Sequence, residues 1–187
     1  MSVTWPLRVE TSSPADTREV AGALARLCGA GDVVLLVGDL GAGKTVFAQG
    51  FAAALGVEGP VTSPTFALVR HYRCGAASPV RTLIHADVYR TGSLDEVVDL
   101  ALAELVEEDA VALVEWGELA APALGESALV VSIDAPDVAA TPGRRVLGVT
   151  GRGRWAGRAD AVGAALDTAH DTAHDTAHDG VPPRGRS

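Results

Sequence analysis

Apolar positions along the chain change period several times, and each change marks an element. The run Asp32-Val33-Val34-Leu35-Leu36-Val37 is short, continuous and rich in β-branched residues, which predicts a buried strand. Val46, Phe47, Phe51 and Leu55 recur at helical spacing over 45–55, and Gly56 supplies a stop. Upstream, Ser13-Pro14-Ala15-Asp16 reads as a helix start: a serine N-cap, proline in the first position and an acid in the first turn. That helix is expected to reach about Cys28, before Gly29 and Gly31. Residues 57–65 read as a loop, and 66–72 and 80–86 as two strands joined through a 75–79 turn region. Ser93-Leu94-Asp95-Glu96 is a capping box, so a helix is expected over 94–107. Residues 110–115, 128–133 and 145–150 read as further strands, and a last helix is expected around 154–166.

Three copies of Asp-Thr-Ala-His follow over 167–178, and a Gly/Pro/Arg-rich end closes the chain. On a helix, His170, His174 and His178 would share one face at a spacing that suits a metal. Terminal low-complexity repeats are mostly disordered, however, and the tail is expected to be so. The pattern predicts an α/β domain over 1–166 and a disordered tail over 167–187.

Between the first strand and the helix over 45–55 stands Gly38-Asp39-Leu40-Gly41-Ala42-Gly43-Lys44-Thr45, which fits the G-x-x-x-x-G-K-[ST] phosphate-binding loop at every defined position. Strand, loop and helix N-terminus occur in the order that aims free N–H groups and the helix dipole at an anion. Lys44 is the single lysine among 187 residues, beside fourteen arginines. A compact ammonium reaches between β- and γ-phosphate oxygens as a point charge, where a planar guanidinium is wider. The glycines let backbone N–H groups turn onto phosphates, and Thr45 can offer its hydroxyl to Mg²⁺. GTPases of this class usually read guanine with Asn-Lys-x-Asp. With no second lysine that segment is absent, which favours ATP.

Composition narrows the class further. Hydrophobic content of 48% suffices for a core, yet no apolar stretch approaches the length of a membrane span. No basic-then-apolar leader opens the chain, and two distant cysteines, Cys28 and Cys74, suggest reduced thiols, so a cytoplasmic protein is expected. A net charge of −9 argues against gripping nucleic acid directly. Arg144, Arg145, Arg152, Arg154 and Arg158 form a late basic stretch that reads as a solvated edge rather than an RNA surface.

Two apolar runs end in acids, Ile84-His85-Ala86-Asp87 and Leu113-Val114-Glu115. Strand carboxyl ends line the ligand crevice in open α/β sheets, so Asp87 and Glu115 can join Thr45 around Mg²⁺ and orient a water. Ser63-Pro64-Thr65 reads as a turn that can also serve as a switch-like loop near the γ-phosphate.

The glycine loop, then Ser63-Pro64-Thr65-Phe66, His85-Ala86-Asp87-Val88-Tyr89-Arg90 and Glu115-Trp116, in this order and spacing, resemble the bacterial TsaE (YjeE-type) ATPase family. The resemblance covers about 13–133. It implies a P-loop NTPase-like three-layer domain, with a mixed central sheet flanked by helices, that hydrolyses ATP with Mg²⁺ in making threonylcarbamoyladenosine on tRNA. Its implied partners are TsaD, the threonylcarbamoyl transferase, and TsaB, TsaD's partner. Hydrolysis would be tied to turnover of that complex, and tRNA reached only through it. By position, Asp39, Leu40, Gly41, Ala42, Gly43, Lys44, Thr45, Thr65 and Trp116 would contact nucleotide. Thr45, Asp87 and Glu115 would hold metal, and Glu115, Asp87 and Lys44 would carry catalysis.

The chain departs from the family at Val46, Ala86 and Gly117, none of which handles phosphate or metal. Two other readings fit the same loop: a small-molecule kinase, and a non-catalytic nucleotide-dependent switch. A kinase would need arginines gathered on a lid, whereas Arg70, Arg73, Arg81 and Arg90 are scattered over the expected hairpin.

Overall fold

A computed structural model describes residues 3–64, 68–89, 106, 109–124, 126–136 and 139–178, of which 123, 170 and 173–178 are described by backbone alone. Strands β1 (Leu7–Thr11), β2 (Val33–Val37), β3 (Val69–Arg73), β4 (Thr82–Asp87), β5 (Ala110–Glu115), β6 (Leu129–Asp134) and β7 (Arg145–Gly151) form one sheet. Helices α1 (Pro14–Ala25), α2 (Lys44–Ala54), α3 (Gly117–Leu124) and α4 (Ala159–His178) flank it, the last entered through a 3₁₀ turn at Gly153–Arg158.

The sheet order is β1-β7-β6-β2-β5-β4-β3. Strands β6, β2, β5 and β4 run parallel, and antiparallel neighbours close both flanks: β7 and β1 on one side, β3 on the other. The central strands are continuous apolar runs because both their faces are covered. Val34, Leu36, Leu83, Val111 and Leu113 pack into one core with Leu24 of α1, Phe47 and Phe51 of α2, and Val162 and Leu166 of α4. Val33, Leu35, Ile84, Ala112 and Val114 build a second core with Ala120 of α3 and Val106. Helix, sheet, helix: the expected three-layer mixed α/β fold is the observed one.

Local signals set most boundaries. Ser13 and Asp16 cap α1 reciprocally, the Asp16 amide donating to Ser13 Oγ and the Ser13 amide to Asp16 Oδ2 at 3.2 and 3.1 Å. Helix α1 nevertheless stops at Ala25, short of Cys28, because a tighter turn takes over there, with the Cys28 amide donating to the Ala25 carbonyl. Strand β1 was not anticipated, for five residues of weak alternation become a strand only by pairing with β7. Nor was α3, which carries Pro122 and follows Trp116 at φ 60°. The expected helix over 94–107, except Val106, and the start of the expected strand at 66 lie outside the described residues.

The tail differs from expectation. Helix α4 does not end at Leu166 but continues through the repeats to His178, and Ala169 is buried with Leu166 and Val162. The alanine of the first repeat extends the helical apolar stripe, and Thr168 Oγ1 donates to the Ala164 carbonyl at 2.9 Å. Of the late arginines, Arg152 and Arg154 are exposed as expected of a solvated edge, yet three of the five also pair with acids. Arg144 bridges Glu10 at 2.8 Å, while Arg154 and Arg158 reach buried Asp32 at 3.5 and 3.7 Å. Both cysteines are free and buried. No helix among the described residues is long and apolar enough to cross a membrane.

Helices α1 and α2 touch backbone to backbone at Gly50, where a Cβ would land on the Arg18 carbonyl oxygen and 2.5 Å from its Cα. Gly50→Ala is therefore expected to lower stability by about 1–3 kcal/mol through overpacking, despite alanine's higher helix propensity. Urea unfolding of the two proteins measures this, and an equal or higher midpoint for the variant would contradict it.

Candidate functional site

The loop from Gly38 to Thr45 leaves the carboxyl end of β2 and enters α2. Gly38 sits at φ 151°, where a Cβ would come 2.5 Å from the Ile133 carbonyl oxygen of β6. Gly41 at φ 79° faces open space, with nothing within 4 Å of a would-be Cβ, so only its left-handed backbone demands glycine. The N-cap of α2 is Gly43, which supplies no side-chain cap. The first-turn amides of α2 thus keep their donors for an outside acceptor, at the positive end of the helix dipole. Ala42 is buried, and its amide donates to the Asp39 carbonyl at 3.1 Å. Leu40, at the loop tip, is exposed.

Lys44 opens α2 and is only 5% exposed. Its ammonium donates to the Gly38 and Asp39 carbonyls at 2.6 and 2.9 Å. It also lies 3.8 Å from the centroid of the Trp116 ring, a cation–π contact, and Tyr89 packs against that indole at 4.5 Å between centroids. Burial holds the Lys44 pKa below its ordinary value, opposed by the charges of Glu115, Glu118, Asp87 and Asp39.

Asp87 and Glu115 are direct register partners on neighbouring parallel strands β4 and β5, so both carboxylates arrive at the same sheet edge. Each is almost fully buried, and a buried charge must be hydrogen-bonded to be tolerated. Asp87 accepts from Ser63 Oγ at 2.8 Å and from the Tyr89 amide at 3.0 Å. Glu115 Oε1 lies 2.9 Å from Nε2 of His85, whose ring is wholly buried. The sequence reading did not single out His85 as a site residue. The available signal was the two-residue strand period, which sets His85 on the face of Asp87, one diagonal step from Glu115.

The structure brings Lys44, Trp116, Asp87, Glu115 and Asp39 into one neighbourhood, with Gly41, Ala42, Gly43 and Thr45 on the adjoining loop and helix start. Thr65 lies outside the described residues, although Ser63 beside it reaches Asp87. The Thr45 hydroxyl and two carboxylates are hard oxygen donors of the kind magnesium takes. Among the described residues there is no group of three or more His, Cys, Asp or Glu side chains that would hold a metal alone. That fits Mg²⁺, which commonly takes one or two carboxylates and completes its shell with phosphate oxygens and water. A separate cavity of about 1000 Å³ lies between residues 71 and 82, at the opposite ends of β4 and β5, and contains none of these groups.

Residues 11–145 match the family model described as threonylcarbamoyl adenosine biosynthesis protein TsaE. The chain is 45% identical over 142 residues to the tRNA threonylcarbamoyladenosine biosynthesis protein TsaE of Streptomyces coelicolor, covering 74% of this chain and 93% of that one. Its counterpart of the same name in Bacillus subtilis is 42% identical over 127 residues, covering 68% and 77%. The crystal structure of Bacillus subtilis YdiB superposes with a TM-score of 0.65 at 31% identity, over 91% of this chain and 99% of that one.

Because Lys44 is the chain's single lysine, isotope-labelled lysine gives one ε-methylene resonance with no assignment problem. That resonance is expected to titrate below the ordinary lysine value. Glu115→Gln, which removes a nearby negative charge that favours the ammonium, should lower it further. A midpoint at or above the ordinary value would contradict the buried site.

Proposed function

We propose, on the premise that this chain belongs to the TsaE family and serves tRNA threonylcarbamoyladenosine biosynthesis, that it is an ATPase subunit of that process. In this reading it hydrolyses ATP to drive turnover of a TsaB–TsaD transferase pair. The observation that carries the reading is the buried Lys44 ammonium, held by loop carbonyls beside two buried carboxylates in register.

On arrival of a triphosphate, Lys44 exchanges the Gly38 and Asp39 carbonyls for β- and γ-phosphate oxygens. Amides of Gly41, Gly43, Lys44 and Thr45 then line the phosphates, with Ala42 shaping the loop through its own amide's bond to the Asp39 carbonyl and Asp39 and Leu40 at the outer wall. Thr45, Asp87 and Glu115 would hold Mg²⁺, which would supply neutralisation of charge on the transferred group. Glu115 orients the attacking water, and its bond to His85 limits the rotamers it can adopt. Ser63 positions Asp87 through its hydroxyl, which donates to the carboxylate at 2.8 Å. Trp116 stands over the phosphate-binding lysine and has to yield or repack as that lysine turns.

ATP is favoured over GTP because the chain's one lysine is already in the loop. Direct tRNA binding is disfavoured by the net charge of −9 and by late arginines committed to Glu10 and Asp32. The kinase alternative loses ground too: Arg70 donates to Thr62 and Arg81 pairs with Asp109, so neither is presented on a shared lid. Among the described residues no arginine is placed as a finger against Asp87 and Glu115, so turnover alone should be slow, and a partner that supplies such a charge can raise it by about 10³–10⁵.

Glu115→Gln keeps an acceptor for His85 while removing the charge. It should reduce phosphate release from MgATP by about 10²–10⁴-fold, with ADP affinity largely retained. Steady-state phosphate release with and without a TsaB–TsaD pair, together with calorimetric ADP binding, measures both effects. Undiminished turnover in the variant would remove Glu115 from its role, and phosphate appearing only on a small-molecule acceptor would favour a kinase.

A further inference from the structure

Arg145 begins β7 and stands 103 positions beyond Ala42, yet its Nε donates to the Ala42 carbonyl at 2.6 Å. Its Nη1 donates to the Pro142 and Arg144 carbonyls at 2.9 and 2.7 Å. The neighbouring arginines Arg144, Arg154 and Arg158 each meet a carboxylate. Arg145 meets none among the described residues and gives its guanidinium to three backbone oxygens. We propose that Arg145 is a positioning residue that sets the orientation of the Ala42–Gly43 peptide, so that the Gly43 N–H faces the phosphates of a bound nucleotide.

A trans peptide is planar, so the Ala42 carbonyl and the Gly43 N–H point in opposite directions. Anchoring the carbonyl on β7 therefore turns the amide to the other side, toward the loop's concave face. The peptide needs an anchor because Gly43, at φ 116° and without a Cβ, allows rotation at little steric cost. A flip would remove one donor from the loop and present a carbonyl oxygen to an anion. The amide of Ala42 is already held, donating to the Asp39 carbonyl at 3.1 Å. The inference rests on the nucleotide reading above and adds to it a contribution from the far strand.

The test compares wild type, Lys44→Ala, Arg145→Ala and Arg145→Lys as full chains, with MgADP affinity by calorimetry and thermal unfolding as a check on folding. Arg145→Ala should weaken MgADP about 10- to 100-fold, the effect of losing one hydrogen bond to a charged group. Arg145→Lys, which can still donate to the Ala42 carbonyl, should recover much of that loss. In ¹⁵N-glycine-labelled wild type the Gly43 amide should shift on adding MgADP, and in nucleotide-free Arg145→Ala it should already differ from wild type. If wild type binds no MgADP, the nucleotide reading fails along with this one. If wild type binds, Lys44→Ala does not, and Arg145→Ala binds like wild type, only the role of Arg145 is overturned. Should Arg145→Ala not fold, an unmoved Gly43 amide in wild type on MgADP addition, or an Arg145→Lys variant that folds yet binds no better than Lys44→Ala, overturns it equally.

Discussion

A buried ammonium is costly unless its charge is met from several sides, and Lys44 is met from four. Two carbonyls of its own loop take its protons, an indole face covers it, and acids from β4, β5 and the start of α3 supply field. Each partner belongs to a different element, so the loop, both strand ends and the turn at Trp116 must be correctly placed for the charge to be tolerated. The loop's shape is consequently tied to the sheet's register. A one-residue slip of β4 against β5 would turn Asp87 away from it, while pairing with β2 keeps Glu115 in place.

The same arrangement explains why the site collects acids without collapsing. Asp87 and Glu115 are adjacent across the ladder, where like charges directly opposite repel. Each has its own hydrogen-bond partners, Ser63 and the Tyr89 amide for one and His85 for the other. The pair stays buried and oriented, with an excess of negative charge that a hard dication would relieve. Thr45 on the first turn of α2 adds a neutral oxygen to that excess.

What could be read from the sequence was whatever depends on neighbours along the chain. The strand–loop–helix unit is legible because its glycines, lysine and threonine sit within eight residues. Asp87 and Glu115 are legible because an apolar run that ends in a carboxylate announces a strand end. Contacts made across the fold leave no such trace. Arg145 looks like one of several late arginines until β7 brings it to Ala42, and His85 looks like an interrupted hydrophobic run until β5 supplies Glu115. β1 exists only through β7, and α3 starts from a backbone turn that residue type disfavours. The repeat tail misled for the opposite reason: its composition suggested disorder, while its first alanine continued the stripe already set by Val162 and Leu166.

Among the described residues strand β3 closes one side of the sheet by pairing with β4 alone, which leaves a row of backbone donors and acceptors facing outward. Such a row can recruit a strand from another molecule and seed aggregates. Here the strand reads Val-Arg-His-Tyr-Arg, and Arg70, His71 and Arg73 are exposed along it. Two identical margins brought together would set arginine against arginine, and the repulsion discourages self-templating while the sheet keeps a free border.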